Sequence, residues 1–531
     1  MLNTNDNSHK SNFINSLQSI LGKENVFTDE ENIRFFSSDV FREAILASLV
    51  IRPKSTSQLS EALALASNNS MYVIPRGGGL SYTDGYLPIK DRSMIVDMQG
   101  INKIIEINEK DMFVIVESGC TWSELYEALK VKGLRTPYFG PLSGLNSTIG
   151  GAMSQNSIFF GSGLYGSAAD QCIGLEVVLS DGKIMKTGSW ATPYKPSPFF
   201  RTYGPDLTGL FLGDTGSLGF KTKIVLKLIP MPKYVEFASF AFNNYKEIVM
   251  AMSEISRRGI AAECFSFDPY LQGQRLKRQG LLTDFKRLVN VARSGKSIIS
   301  GMKDAAAVAA SGRSMFEGVS YSMHVVVESR YNEDCKKLLE EVNECCLSFN
   351  CKSIEPSLPK IMRSSPFVPP TSMLGAEGER WVPIHAMVPH SRIENLIDQV
   401  HNYFEDHKDI MEKNEIEWGY LMATVSHQTF LMEPVFFWKD SRHSYHDKYL
   451  GKEYIKTLKN FPENLEARKV VTDLREGLSL LFMKLGSVHF QIGKAYKYKE
   501  ARDKETWELL KALKKYVDPN GRMNPGSLGF D

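Results

Sequence analysis

Three consecutive glycines, Gly77, Gly78 and Gly79, close the apolar run Met71–Ile74 and open the segment PRGGGLSYTDGY, Pro75–Tyr86. Glycine tolerates positive φ and lets another group approach closely. Successive peptide N–H groups in such a turn form a concave nest that suits an anion. Ser81, Tyr82 and Thr83 add hydroxyls that could donate to phosphate oxygens. The chemistry on offer is phosphate binding. A tight turn without a ligand fits this stretch equally well, because isolated glycine patterns carry little information. Two later stretches bear on the choice. Gly140–Ser167, GPLSGLNSTIGGAMSQNSIFFGSGLYGS, holds no charged residue and many small ones, which reads as an ordered segment lining something flat and partly apolar. Tyr203–Pro232 carries Gly213, Gly216 and Gly219 ahead of an apolar strand over Lys223–Ile229.

The elements that must position these loops alternate. Leu46–Ile51 reads as a strand, Ser55 caps a helix through Leu59, Leu63 and Ala66, and Met71–Ile74 is a strand again. Ser93–Met98 and Met112–Glu117 follow as strands, then a helix over Trp122–Lys132 capped by Thr121. Gly174–Leu179 turns through Ser180-Asp181-Gly182-Lys183 into a hairpin. Such alternation predicts an α/β domain, and Pro230 and Pro232 mark its boundary. At 531 residues the chain exceeds one ordinary core. Its net charge of +2, from 63 basic and 61 acidic residues, provides no global field for nucleic acid. The start MLNTNDNSHKSNF lacks the apolar stretch of a signal peptide, and no run of about 18 apolar residues appears. Seven scattered cysteines suit reduced thiols, so a cytoplasmic location is expected. Cys345, Cys346 and Cys351 lack CxxC spacing, so no zinc site is expected.

The three glycine regions, in this order and spacing, resemble the FAD-binding domain of the vanillyl-alcohol oxidase and p-cresol methylhydroxylase superfamily. The resemblance rests on PRGGGLS (Pro75–Ser81), STIGGAMSQNS (Ser147–Ser157), YGSAADQCIGLEVVLSDG (Tyr165–Gly182), DLTGLFLGDTGSLGFKTK (Asp206–Lys223) and the tail DPNGRMNPGSLG (Asp518–Gly529). It implies an α+β protein: an FAD-binding domain of two α/β subdomains over 1–232, with its core from about 45, an α+β cap over 233–480, and a segment, 481–531, that returns to the cofactor. It implies that Arg76, Gly77, Gly78, Gly79, Leu80, Ser81 and Tyr82 sit on the pyrophosphate. Ser147, Thr148, Gly150, Gly151 and Asn156 would line the flavin or its ribityl chain, and Gly163, Tyr165 and Gly166 would approach it. Gly219 and Ile224 would stand toward the adenosine, and Asn524 and Gly526 would bring the tail back. Some members tether the flavin to a histidine in the first loop. Leu80 stands there, with no His or Cys between Met71 and Gly100, so non-covalent FAD is expected.

The resemblance further implies an oxidoreductase that removes a hydride from a small hydroxylated substrate. The DLTGLF and MNPG segments lean toward the glycolate oxidase and D-lactate dehydrogenase branch, hence a D-2-hydroxy acid. YGP at Tyr203–Pro205 and WVPIHAMVP lean toward para-substituted phenols or benzylic alcohols, and a flavin-binding protein without turnover is a further alternative. The reaction needs a base for the hydroxyl proton and, for an acid, a cation for its carboxylate. His489 in GSVHFQIGKAY is the first base candidate, because the segment is similar to the EHGIG segment of that branch, with Val488 in place of the acid. His385 and His390 come second; the metal signature of metal-dependent relatives is absent, so no metal is expected. Lys494, Arg380 and Arg135 are the carboxylate candidates, and His427 and Glu433 lie in a segment facing core or substrate. The electron acceptor could be oxygen, a quinone, a cytochrome or an electron-transfer flavoprotein. A homodimer is an open assembly. The cap reads as a sheet covered by helices on one face, with one strand over Trp381–Val388. Residues 275–313, basic and helix-prone, read as a solvated insertion, a lid or a peripheral membrane contact.

Overall fold

The computed structural model describes residues 4–277 and 321–531. Nearly all of the 275–313 stretch therefore lies outside the described residues.

Three sheets carry the molecule. In the first, β1 (Val26–Phe27), β2 (Leu49–Ile51), β3 (Tyr72–Arg76) and β4 (Ser93–Asp97) take the order β1-β2-β4-β3, with β4 parallel to both β2 and β3. The helix Thr56–Asn68 links β2 to β3, and Ser55 caps it by accepting from the Gln58 N–H. Its Leu59, Ala62, Leu63 and Ala66 face the sheet and are fully buried. The second sheet is antiparallel. It holds β5 (Ile104–Asn108), β6 (Phe113–Glu117), β8 (Cys172–Val178), β9 (Ile184–Lys186) and β10 (Phe220–Lys227) in the order β5-β6-β10-β8-β9; a short pair, β7 (Leu134–Arg135) and β11 (Ile229–Pro230), stands apart. The Gly140–Ser167 region contains two short helices, Ile149–Gln155 and Ser162–Tyr165.

The third sheet has eight strands: β12 (Tyr234–Phe242), β13 (Glu263–Phe267), β14 (Tyr321–Ser329), β15 (Lys352–Ile354), β16 (Arg380–Pro383), β17 (Ala386–Pro389), β18 (Ile416–Val425) and β19 (Thr429–Trp438). Two features differ from the sequence reading. The expected strand Trp381–Val388 is broken into β16 and β17, both paired with β19. At the break the Ile384 N–H bonds to the Pro434 carbonyl, and the fully buried His385 turns its own N–H to Tyr496. The sheet is also covered on both faces. Side chains alternate along a strand, and here both sets are apolar. Cys264, Met323, Val325, Met422 and Phe436 pack toward the helices Tyr245–Arg258, Asn332–Leu347 and Ile393–Asp406. Phe265, Phe267, Leu431, Val435 and Phe437 pack on the other face against Ile158, Phe159, Phe490 and the helices Pro269–Lys277 and Ser357–Ser364. That second face, called the inner face below, is apposed to the glycine loops.

Candidate cofactor and substrate site

A cleft of about 880 Å³, including the open space at its mouth, lies between the first two sheets, with Gln491 of the C-terminal segment at its edge. Gly77–Ser81, Gly85 and Tyr86 form one wall; Ser147, Thr148, Gly150, Gly151, Gln155 and Ser157 form the opposite wall. Thr215, Gly219, Phe220 and Lys221 close one end, and Gln491 stands near Ser81, whose hydroxyl donates to it at 3.4 Å.

The two walls meet very closely. A Cβ on Gly78 would lie 2.0 Å from the Asn146 carbonyl oxygen, so only glycine permits this contact. Gly79 has φ +71°, the left-handed region. The carbonyls of the loop are held from behind. Tyr449 donates to the Gly78 carbonyl, and both Tyr86 and Tyr445 donate to that of Gly79. In a planar trans peptide the N–H points opposite to the carbonyl, so these hydroxyls turn the Gly79 and Leu80 N–H groups away from the tyrosines. No described residue offers those two N–H groups an acceptor. The fully buried Arg76 guanidinium lies under the loop, 4.7 Å from the Phe36 ring centre and 5.2 Å from that of Tyr86. Orphan donors over a buried cation, in a crevice that a Cβ would fill, fit a diphosphate. Tyr445 and Tyr449 escaped the sequence reading; their i, i+4 spacing on the helix Ser444–Leu450 was the available signal.

The tail locks the loop. The Asn524 N–H bonds to the Val73 carbonyl, and its side-chain amide donates to the carbonyls of Gly85 at 2.8 Å and Thr215 at 2.6 Å. Lys494 reaches the Asn524 Oδ1 at 2.9 Å and the carbonyls of Leu87, Asp84 and Gly85 at 2.9, 3.3 and 3.4 Å. Burial pushes its ammonium down to about 7, against the pull of Asp84 and Asp39. Its donors are thus occupied by the loop and not offered to a substrate carboxylate. Lys494→Met strands these acceptors and should lower stability by about 1–3 kcal/mol while weakening FAD binding. Calorimetry with FAD titration measures both, and an unchanged melting temperature refutes this role.

Other nominated residues stand off the cleft wall. Asn156, with φ +54°, ends the helix Ile149–Gln155 and accepts from the Ala169 N–H at 3.1 Å. Gly163 packs on the Ala261 and Ala262 carbonyls, Tyr165 lies against the Arg135 guanidinium, and Gly166 follows with φ +78°. Ile224 is buried in β10 between β6 and β8. Tyr82 leaves the loop toward the inner face, where its ring meets Trp381 edge-on and its hydroxyl donates to Glu433 at 3.1 Å.

The histidines form a buried relay. The Phe490 N–H can only donate, so the His385 Nε2 accepts it at 3.2 Å and the ring proton resides on Nδ1. Nδ1 then donates to the Tyr496 hydroxyl at 3.0 Å, and the same oxygen accepts the His385 N–H at 2.8 Å. Burial, with His489 and Arg475 adding, holds His385 well below the usual imidazole range. His489 donates from Nδ1 to the His385 carbonyl at 2.8 Å and stacks on Tyr496 with ring centres 3.7 Å apart. Burial lowers it to about 4. Neither histidine lines the cleft, and His385 has no nitrogen left for a substrate proton. His390 is elsewhere, bonded to Ser253 and the His427 carbonyl. The remaining carboxylate candidates are also engaged: Arg135 pairs with Glu328, and Arg380 donates to the carbonyls of Phe41 and Ser441. Among the described residues no cluster of three or more His, Cys, Asp or Glu could hold a metal ion, and no helix is long and apolar enough to cross a membrane.

Fold and cleft define an α+β protein with a glycine-lined cleft and a separate eight-stranded cap sheet. The FAD binding domain family matches residues 47–188, and the family of FAD linked oxidases, C-terminal domain, matches residues 492–528. The chain carries an FAD binding domain, and its cofactor is FAD. It is similar to the glycolate oxidase subunit GlcD of Bacillus subtilis, 32% identical over 206 residues that cover 39% of this chain and 42% of that one. Against D-lactate dehydrogenase [cytochrome] 1 of Saccharomyces cerevisiae it is 29% identical over 214 residues, 40% of this chain and 35% of the relative. The chain thus spans about two fifths of the length of the curated relatives it matches. p-Cresol methylhydroxylase with substrate bound shares the whole fold, with TM-score 0.73 at 16% identity, covering 99% of this chain and 97% of that one.

Proposed function

We propose that this chain is an FAD-dependent dehydrogenase or oxidase of a small hydroxylated substrate, acting at a CH–OH carbon and passing electrons to a separate acceptor. The observation that carries it is the glycine cradle opening beside the inner face of the cap sheet. Residues 1–232 and 481–531 build the cofactor side, and 233–480 the substrate side. Gly77–Ser81 would hold the diphosphate through peptide N–H groups, with Arg76 beneath; Ser147, Thr148, Gly150 and Gly151 would line the rest. Bound there, FAD supplies a two-electron acceptor. The protein's part is to exclude water with its aromatic inner face, orient the substrate and take the hydroxyl proton.

The matched relatives support a D-2-hydroxy acid as substrate. A second reading, a phenol or benzylic alcohol, is favoured by the inner face: Phe265, Phe267, Trp381, Phe437 and Phe490 dominate it, while Lys494, Arg380 and Arg135 are each committed to protein groups. Anaerobic bleaching of the flavin band against D- and L-2-hydroxy acids and para-substituted phenols separates the two. Bleaching by D-2-hydroxy acids supports the first. Bleaching by phenols alone replaces it with the second, and bleaching by neither leaves a flavin-binding protein without turnover. Oxygen uptake, compared with reduction of a quinone and of cytochrome c, then sorts the acceptor.

A further inference from the structure

We propose that Glu433 is the group that accepts the substrate's hydroxyl proton, with the Tyr82 hydroxyl orienting it. The proposal rests on the oxidoreductase reading above and names a residue of that same site.

Glu433 lies on β19 in the alternation that also places Leu431, Val435 and Phe437 on the inner face. It is 9% exposed, and its hydrogen-bond partner is the Tyr82 hydroxyl at 3.1 Å. Tyr82, Ile158 and Phe490 each adjoin a residue of the cleft wall: Ser81, Ser157 and Gln491. Glu433 does not itself line the cleft; it is bonded to the residue next to the cleft-wall Ser81, on the cap-sheet face apposed to the glycine loops.

The other acids of this face are already neutralised or used. Glu328 and Glu263 pair with Arg135 and Arg363, and Asp268 accepts the Leu271 N–H at the start of the helix Pro269–Lys277. Glu433 faces a neutral phenol and apolar walls with no cation bonded to it. An acid held this way adds nothing to the fold that a glutamine would not, since the amide oxygen would accept from Tyr82 as well. Burial raises its carboxyl to about 7, with the Tyr82 hydrogen bond pulling the other way. A base poised near neutrality suits general-base catalysis. The competing bases are more heavily engaged: His385 has both nitrogens bonded, and His489 gives its Nδ1 proton to the His385 carbonyl and stacks on Tyr496.

In the step itself the substrate O–H bond breaks and its proton passes to the Glu433 carboxylate. The carbinol C–H would break with its electron pair, which a bound FAD would take up as hydride, and the C–O bond would become C=O. The substrate would lose two electrons, and a bound FAD would gain them.

The groups that face Glu433 are Tyr82 from the glycine loop, whose carbonyl accepts from Arg475, and Tyr496 with the two histidines behind it; farther along the sheet stand His324 and the Arg135–Glu328–Arg363–Glu263 group. None is a cation bonded to the carboxyl.

The test uses the holoprotein and the substrate that bleaches it. Glu433→Gln should keep its yellow colour and circular dichroism yet be reduced roughly 10²-fold or more slowly. The wild-type rate should rise about tenfold per pH unit below about 7 and level off above it, because the ionised form is the base; the variant should lose that rise. Tyr82→Phe removes a donor that favours the carboxylate, so its profile should move to higher pH. Infrared difference spectra, which need no turnover, should show carboxyl absorption lost as pH rises through about 7, with the Glu433 contribution missing in Glu433→Gln while those of Asp39 and Asp268 remain. Reduction of Glu433→Gln at the wild-type rate overturns the proposal and leaves the oxidoreductase reading intact, as does an infrared titration that is the same in Glu433→Gln and the wild type. A wild type bleached by no substrate overturns the oxidoreductase reading, and this proposal with it.

Discussion

Gly78→Ala should abolish high-affinity FAD binding while leaving the chain folded. The added Cβ would sit 2.0 Å from the Asn146 carbonyl oxygen, 2.9 Å from its carbon and 3.2 Å from the Ser147 Cα. All three are backbone atoms, so no rotamer change relieves the clash. The two walls must part by about 1 Å or more to restore ordinary contact distances. Parting them pulls Gly78 and Gly79 off the Tyr449, Tyr86 and Tyr445 hydroxyls and loses the aim of the N–H groups. An affinity loss of at least about 100-fold, near 2.8 kcal/mol, should appear in titrations of FAD fluorescence. Gly273→Ala is the control. It has nothing within 4 Å of its added Cβ and should bind FAD as the parent does. Equal affinity in Gly78→Ala would refute the cradle.

The second large effect concerns the buried group joining the glycine-rich part to the cap. Arg135 and Glu328 are each about 1% exposed at the side chain, and Arg363 bridges Glu328 to Glu263. Glu263 also accepts the Gly161 N–H at 2.7 Å, and both arginines lie over the Phe139 ring. Two cations balance two carboxylates. Arg135→Met leaves two acids sharing one cation away from water, which should cost about 3–5 kcal/mol. Thermal unfolding should begin several degrees lower, with the cap losing protection from hydrogen exchange first. The double variant Arg135→Met/Glu328→Gln restores charge balance and should recover part of the loss; a single variant as stable as the parent would refute the account. The pH dependence has a definite sign. Burial pushes the Glu328 carboxyl up, but Arg135 and Arg363 outweigh it and hold it below its ordinary value. Its contribution is therefore complete above the ordinary carboxylate range and is lost as pH falls below that range through the folded value. Acid titration of the parent should therefore loosen this contact below the ordinary carboxylate range, not within it.

Much of the cofactor side is legible in residues 75–86, 147–157 and 206–223, because glycine is informative where two backbones must touch. The same residue types say little about which loop meets which. The contact of Gly78 with Asn146 spans two motifs, and no local pattern records it. The cap was less legible. Burial along the whole of β13 and nearly the whole of β19 means two covered faces, which a period-two reading assigns to one. The expected single strand Trp381–Val388 fails at Pro383-Ile384-His385, where pairing to Pro434 and Tyr496 overrides strand propensity.

The sequence by itself determined the cofactor: glycines, small hydroxyl residues and a returning tail are requirements of a backbone that must come close to a diphosphate, and they survive as composition. Only the tertiary structure decided the roles of the charged and aromatic residues. Lys494 became a clamp on the loop, His385 a support for Tyr496, Tyr445 and Tyr449 the holders of the glycine carbonyls, and Glu433 an acid without a countercharge. The physical reason is that a side chain's chemistry depends on what it is buried against, and those partners lie up to about 400 residues away along the chain.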